Sequence, residues 1–176
     1  MTLQEHVFSL LKDIPDFPKP GIVFKDIMPL FRDPILTKEI AKAMAKQVEH
    51  LRPDVIAGIE SRGFLLGPLI AQELDIPFIC VRKKGKLPGR TISVSYELEY
   101  GNAEIEIQEH AVKTGDRILI HDDVLATGGT AEASKLLFEK ASANVIGYLF
   151  LLEIKFLGGA KKIHCTGQSV HTFVTV

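Results

Sequence analysis

Four short apolar runs, set apart by stretches of helical periodicity, restrict what this chain can fold into more than any other feature. They are DVIAGI at 54–59, PFICVR at 77–82, RILIHD at 117–122 and NVIGYLFLLE at 144–153. Each is too short for a helix of its own and predicts a strand buried on both faces. FLLGPLIAQEL at 64–74 and residues 129–140 read as helices between them, with Pro68 an irritant inside the first. Upstream, Leu3, Val7, Leu10, Leu11 and Ile14 predict a helix over 3–14, and Leu36, Ile40, Met44, Val48 and Leu51 a second over 35–51. Buried strands joined by helices imply an α/β fold, with a central, mainly parallel sheet covered on both faces. In such sheets ligands sit beyond the carboxyl ends of the strands. Two strands here run into chemically loaded turns, GIESRG and HDDVLATGGT, which are expected to face one crevice.

The remaining segments are less regular. PDFPKPG at 15–21 stops any element. Between 83 and 103 the pattern breaks into basic and turn residues. AEIEIQE at 103–109 alternates, which predicts a half-exposed strand with Ile105 and Ile107 inward and Glu104 and Glu106 outward. KKIHC and HTFVTV in the tail are candidates for edge strands. At 176 residues, with no repeat or linker, the chain suits a single domain over 1–176. A formal net charge of −1 gives no global pull toward nucleic acid or an acidic membrane. The cysteines, Cys80 and Cys165, form no CxxC pair, and His164, Cys165 and His171 match no zinc spacing. The longest apolar stretch, VIGYLFLL, is too short to span a bilayer, and the N-terminal stretch lacks an apolar signal core, so a cytoplasmic protein is expected.

Chemistry concentrates in five places. In Ala126–Thr130, Gly128 and Gly129 permit positive φ and close approach, the following helix offers free N–H groups, and Thr127 and Thr130 add hydroxyls. That describes a phosphate cup, or else a tight strand-to-helix turn capped by a threonine. Asp122 and Asp123 precede it; two acids repel a bare polyphosphate but accept hydrogen bonds from a ribose diol. The alternatives for them are a solvated acid pair or a Mg²⁺ site. RKKGKLPGR, Arg82–Arg90, has five basic residues in nine and suits a mobile loop that closes over an anion, or a solvated surface loop. In GIESRG, Arg62 offers a fork that fits phosphate oxygens, unless Ser61 caps the helix and Arg62 lies on the surface. SYELEYG places Glu99 and Tyr100 after the basic loop, where Glu99 either pairs with its lysines or carries a proton. In DFPKPGIVFKDI, Phe24 can stack on a flat ligand or fill the core.

ILIHDDVLATGGTA resembles the phosphoribosyl pyrophosphate (PRPP) signature of the type I phosphoribosyltransferases. Together with FPKPGIVFKDI, GIESRGF, VRKKGKLPG and YELEYGNAEIEIQ, in that order, it resembles the members of that family that act on adenine. The resemblance runs from about residue 16 to 152. It implies the type I fold, with a small hood and base-binding segment at 1–34 and a flexible catalytic loop at 83–103. It implies that adenine and PRPP give AMP and pyrophosphate with Mg²⁺ carried by PRPP, in a homodimer. By the same resemblance Asp122 and Asp123 hold the ribose hydroxyls, and Ala126, Thr127, Gly128, Gly129 and Thr130 cradle the 5′-phosphate. Arg62, Arg82 and Lys86 hold the pyrophosphate, Arg62 and Arg82 counting with Glu99 as catalytic, and Ser61 and Lys83 bind substrate. Val23, Phe24 and Lys25 form the base pocket, Tyr100 belongs to the closing flap, and Glu99 handles a proton on the purine. The Glu60–Ser61 peptide is expected to be cis. His121 departs from the usual aliphatic residue and is read as a hydrogen-bonded packing residue. The glycine usual before the last buried strand is missing from KASANVIG. Two rivals remain: a PRPP-binding regulator without catalysis, and an enzyme for another purine such as xanthine.

Overall fold

Thr2 opens the chain's first helix, α1 (Leu3–Leu10), through a reciprocal cap. Its hydroxyl accepts from the Glu5 N–H, and the Glu5 carboxylate accepts from the Thr2 N–H. In the computed structural model, which describes residues 1–97, 102–165 and 167–176, α1 stops four residues short of the expected end. Residues Lys12–Pro15 form a strand, β1, paired antiparallel with β2 (Val23–Asp26), so that Ile14 lies opposite Phe24. A partner ten residues downstream captures Ile14, and helical periodicity carries no sign of such a partner.

Helix α2 (Pro34–Val48) begins where Asp33 accepts from the Ile35 and Leu36 N–H groups, with Pro34 in the first turn. A short 3₁₀ turn, Glu49–Leu51, completes the predicted helix. β3 (Val55–Ile59), α3 (Gly63–Glu73) and β4 (Phe78–Lys83) follow as expected. The segment 83–103 departs from the reading as loop. After a turn, Thr91–Glu97 forms β5, paired along its whole length with β6 (Asn102–Gln108). Ile92, Val94 and Tyr96 alternate inward on β5 and pack on the core, a period-2 signal masked by the basic run before it.

β7 (Arg117–Leu125) continues through both aspartates rather than ending at Asp122. α4 spans Gly129–Lys140 and β8 Asn144–Glu153. KKIHC does not form an edge strand: most of it lies in a helix, α5 (Gly159–His164), and β9 (Ser169–Thr175) alone forms that edge. The large sheet has seven strands in the order β5-β6-β4-β3-β7-β8-β9. Pairs among β4, β3, β7, β8 and β9 are parallel, and β6 joins β4 and β5 antiparallel. One face packs Ile40, Met44, Leu66 and Ile70 from α2 and α3 against Ile56, Leu119 and Leu149. The other packs Leu137 and Phe138 of α4 against Ile118, Ile120, Tyr148 and Phe150. The carboxyl ends of β3, β4 and β7 therefore open side by side.

Candidate active site

β7 delivers its last residues straight into the cup. Gly128, at φ +81°, turns the chain into α4 as its N-cap and provides no side chain to cap it. Neither threonine caps the helix, so the first-turn N–H groups face a cavity of about 90 Å³ without a side-chain acceptor. Asp122, Val124, Ala126–Thr130 and Phe150 line that cavity. A larger cleft of about 520 Å³ lies between α2 and α3, around Phe31, Thr37, Leu69 and Gln72. It contains none of the expected site residues among those described; the small cup, with its free donors, is where anion chemistry concentrates.

Asp122 and Asp123 sit in the strand itself, and Asp123 is 4% exposed. Burial is the main force pushing Asp122 well above the carboxylate range, and the neighbouring Asp123 charge adds to it. Burial also raises Asp123, although the Arg62 guanidinium pulls the other way. Gly63 explains how the GIESRG loop comes this close. A Cβ there would lie 2.9 Å from the His121 carbonyl and 3.2 Å from Asp122 Oδ1.

Arg62 connects the acids to the N-terminal segment. Its Nε lies 2.9 Å from Asp123 Oδ2, yet the N–H is not aimed at that oxygen, so the contact is an ion pair rather than a formed hydrogen bond. Its guanidinium carbon sits 4.6 Å from the Phe24 ring centre, and its buried Nη1 has no partner among the described residues. Phe24 also meets the half-exposed Phe17 edge to face at 5.2 Å. Lys25 is tied by its Nζ to Asp13 at 2.6 Å, and Val23 is half-exposed.

At the neighbouring strand ends, the Glu60 carboxylate accepts from Arg82 Nε and Nη2, both at 3.2 Å, and from the Lys83 N–H. Burial would raise the Glu60 carboxyl, but these donors together hold it below its ordinary value. Arg82 Nη1 in turn donates to the Lys86 carbonyl at 3.0 Å. The N–H groups of Lys86 and Leu87 both donate to Glu106 Oε1 at 3.0 Å. Glu106, expected to face solvent, is 3% exposed, because the turn after β4 folds over it. The basic run is thus partly spent: Arg82 pairs with Glu60 and Lys84 with Glu104, while Lys83 and Lys86 keep exposed side chains.

Residues 29–174 match the family model described as the phosphoribosyl transferase domain. An adenine phosphoribosyltransferase of Cytophaga hutchinsonii is 51% identical over 93% of this chain and 92% of its own length. The chain belongs to the adenine phosphoribosyltransferases. Solved members of the family superpose closely. That of Thermoanaerobacter pseudethanolicus gives a TM-score of 0.94 at 43% identity, covering 99% of this chain and 100% of its own. That of Saccharomyces cerevisiae, complexed with an imino-altritol bisphosphate and adenine, gives 0.91 at 39% identity over 97% and 98%.

Among family-implied residues, the fold gathers Phe24, Arg62, Asp123 and the cup at adjoining strand ends, with Arg82 and Lys83 on Glu60 and Lys86 next to Arg82. The Glu60–Ser61 peptide is cis. Ser61 is exposed and does not cap α3, whose N-cap is Arg62. Glu99 and Tyr100 lie outside the described residues. His121 is fully buried and its Nδ1 lies 2.9 Å from the Leu149 carbonyl oxygen, consistent with a packing role. Motif reading gave no role to Glu60, Glu106 or Phe17. In the sequence Glu60 stands out only through GIESRG and its expected cis peptide with Ser61, and Glu106 through nothing, since strict alternation counts it as exposed.

Proposed function

We propose that this transferase joins adenine to the ribose of PRPP, giving AMP and pyrophosphate in purine salvage. The observation that carries it is the pair of half-buried Asp122 and buried Asp123 leading directly into an uncapped, positive-φ cup, beside an aromatic ring covered by an arginine. The acids suit the ribose diol, and the cup N–H groups suit the 5′-phosphate. Arg62 Nη1, with Ser61, Lys83 and Lys86, is assigned to pyrophosphate. Arg82, most of whose donors are engaged by Glu60 and Lys86, is assigned to set that loop as well as to face the anion. Phe24 offers a stacking face for the purine, with Val23 and Lys25 along the base edge. For the base to use the face that Arg62 covers, Arg62 has to move, and an anion beside it supplies the pull. Glu99 is assigned the proton on the purine and Tyr100 the closing flap.

Mg²⁺ is proposed to arrive with PRPP and to neutralise charge on its pyrophosphate. The donor set fits that role: Glu60 and Asp123 are already paired with arginines, which suits a metal that keeps phosphate and water ligands. Little covalent work falls to the protein. As the bond from the anomeric carbon to pyrophosphate stretches, the side chains hold the departing anion, the acids lie near the developing positive ring, and positioning supplies much of the remainder. A homodimer in the cytoplasm is proposed from the family; among the described residues no helix is long and apolar enough to cross a membrane. The test is AMP formation from adenine, PRPP and Mg²⁺, with hypoxanthine, guanine and xanthine as competitors. PRPP binding without turnover of any base would refute the assignment.

A further inference from the structure

β5 is pinned along α4 at two places. Toward the end of the helix, Lys140 Nζ donates to the Ser93 carbonyl at 2.9 Å. At its first turn, the Tyr96 phenol oxygen and the Thr130 hydroxyl oxygen lie 3.2 Å apart. Thr130 lines the cup, and Tyr96 stands three residues before Glu99 in the chain. We propose that Tyr96 is a positioning residue that couples occupancy of the phosphate cup to the strand leading into the catalytic flap. The inference rests on the assignment of the cup to the 5′-phosphate.

The chemistry of two hydroxyls explains how. Each has one proton to donate and can also accept. In the free protein either oxygen can be the donor. A phosphate dianion in the cup accepts a hydrogen bond from the Thr130 hydroxyl, because it offers only acceptors. Tyr96 then has to donate to Thr130 Oγ1. The chain of donors runs one way, from phenol to hydroxyl to phosphate, and bonds arranged so strengthen one another. The consequence is directional: a bound phosphate tightens the hold on Tyr96, and with it the strand that ends at Glu97 opposite Asn102. The Tyr96 ring continues the inward row of Ile92 and Val94 and packs on the core beside α4. Phenylalanine keeps that packing and deletes only the hydroxyl, so the substitution separates coupling from structure.

The test is a double-mutant cycle on Tyr96→Phe and Thr130→Val, reading the affinity of ribose 5-phosphate and of pyrophosphate by calorimetry, with KM for PRPP alongside. Tyr96→Phe is expected to weaken ribose 5-phosphate about twofold, the amount by which a bound phosphate strengthens a hydrogen bond the free protein already makes, and to leave pyrophosphate unchanged. In the Thr130→Val background it should add nothing further, whereas Thr130→Ser should retain the coupling. Wild-type ribose 5-phosphate affinity in Tyr96→Phe, or losses that multiply in the double variant, overturns the proposal. Unchanged ribose 5-phosphate affinity in Thr130→Val alone defeats the cup assignment itself and this proposal with it. Should Tyr96→Phe fail to fold, hydrogen exchange of the wild type decides. Added ribose 5-phosphate should slow exchange of the 93–97 amides, and an unchanged rate there refutes the coupling.

Discussion

His121 should make the protein lose stability in mild acid, and replacing it should remove that part of the loss. The ring is fully buried, with Nδ1 on the Leu149 carbonyl and Nε2 without a partner. Burial is the main cause that lowers its pKa from 6.5 to about 4, with the hydrogen bond to Leu149 opposing it only in part. The folded protein therefore keeps the ring neutral while the unfolded chain takes up a proton. Since the unfolded state binds more protons across this window, stability rises with pH. The contribution is complete above about pH 6.5 and is lost as pH falls toward 4. Integrating two titrations at 6.5 and about 4 gives a loss of about 2 kcal/mol by pH 5 and about 3 kcal/mol by pH 4. His121→Leu keeps an apolar side chain at the site and gives up one hydrogen bond, at a pH-independent cost of about 1 kcal/mol. The raised carboxyls of Asp122 and Asp123 and the lowered His171, which also titrate, are common to both proteins and largely cancel in the difference. Urea unfolding of both proteins at pH 7.5, 6 and 5 measures it. The stability difference should move by about 2 kcal/mol in favour of the variant between pH 7.5 and 5. Parallel pH dependences would show that His121 does not carry a buried neutral ring.

Asp122→Asn should raise the KM for PRPP roughly ten- to hundredfold, as for loss of a charge-assisted hydrogen bond of about 1.5–3 kcal/mol, without lowering the melting temperature. An amide is neutral, as burial favours at Asp122, so a large destabilisation would contradict the placement. Phe24→Ala should weaken adenine, hypoxanthine and guanine together, while Lys25→Ala, whose side chain pairs with Asp13, should leave base preference intact; competition assays check both. Glu106→Ala should cost about 1–3 kcal/mol in urea unfolding, because it strands the Leu87 N–H and leaves the Lys86 N–H only its longer bond to the Lys83 carbonyl, and Glu106→Gln should recover most of it by keeping an accepting oxygen.

Much of the parallel sheet was legible in the residues because its signals are local. Runs such as DVIAGI and NVIGYLFLLE are apolar throughout, since both faces of a central parallel strand are covered, and the stripe from Leu36 to Leu51 repeats at the helical period. The cup was legible for the same reason: Ala126–Thr130 encodes its turn, its donors and its helix start within five consecutive residues. The five motifs, taken in order, also sufficed to point to the family. What they could not carry was any contact whose partner lies far along the chain. Ile14 extends a helical stripe in sequence yet pairs with Phe24 in a strand. Glu106 alternates as a solvent-facing residue yet is buried under the Lys86–Leu87 turn. Arg62 reads as a free fork for phosphate but is held between Asp123 and the Phe24 ring, and Glu60 acquires its role only when β4 brings Arg82 beside it. Local sequence determines which conformation each segment prefers. Which charges find one another is decided by the order of strands in the sheet, because burial makes an unpaired carboxylate or guanidinium too costly to leave alone.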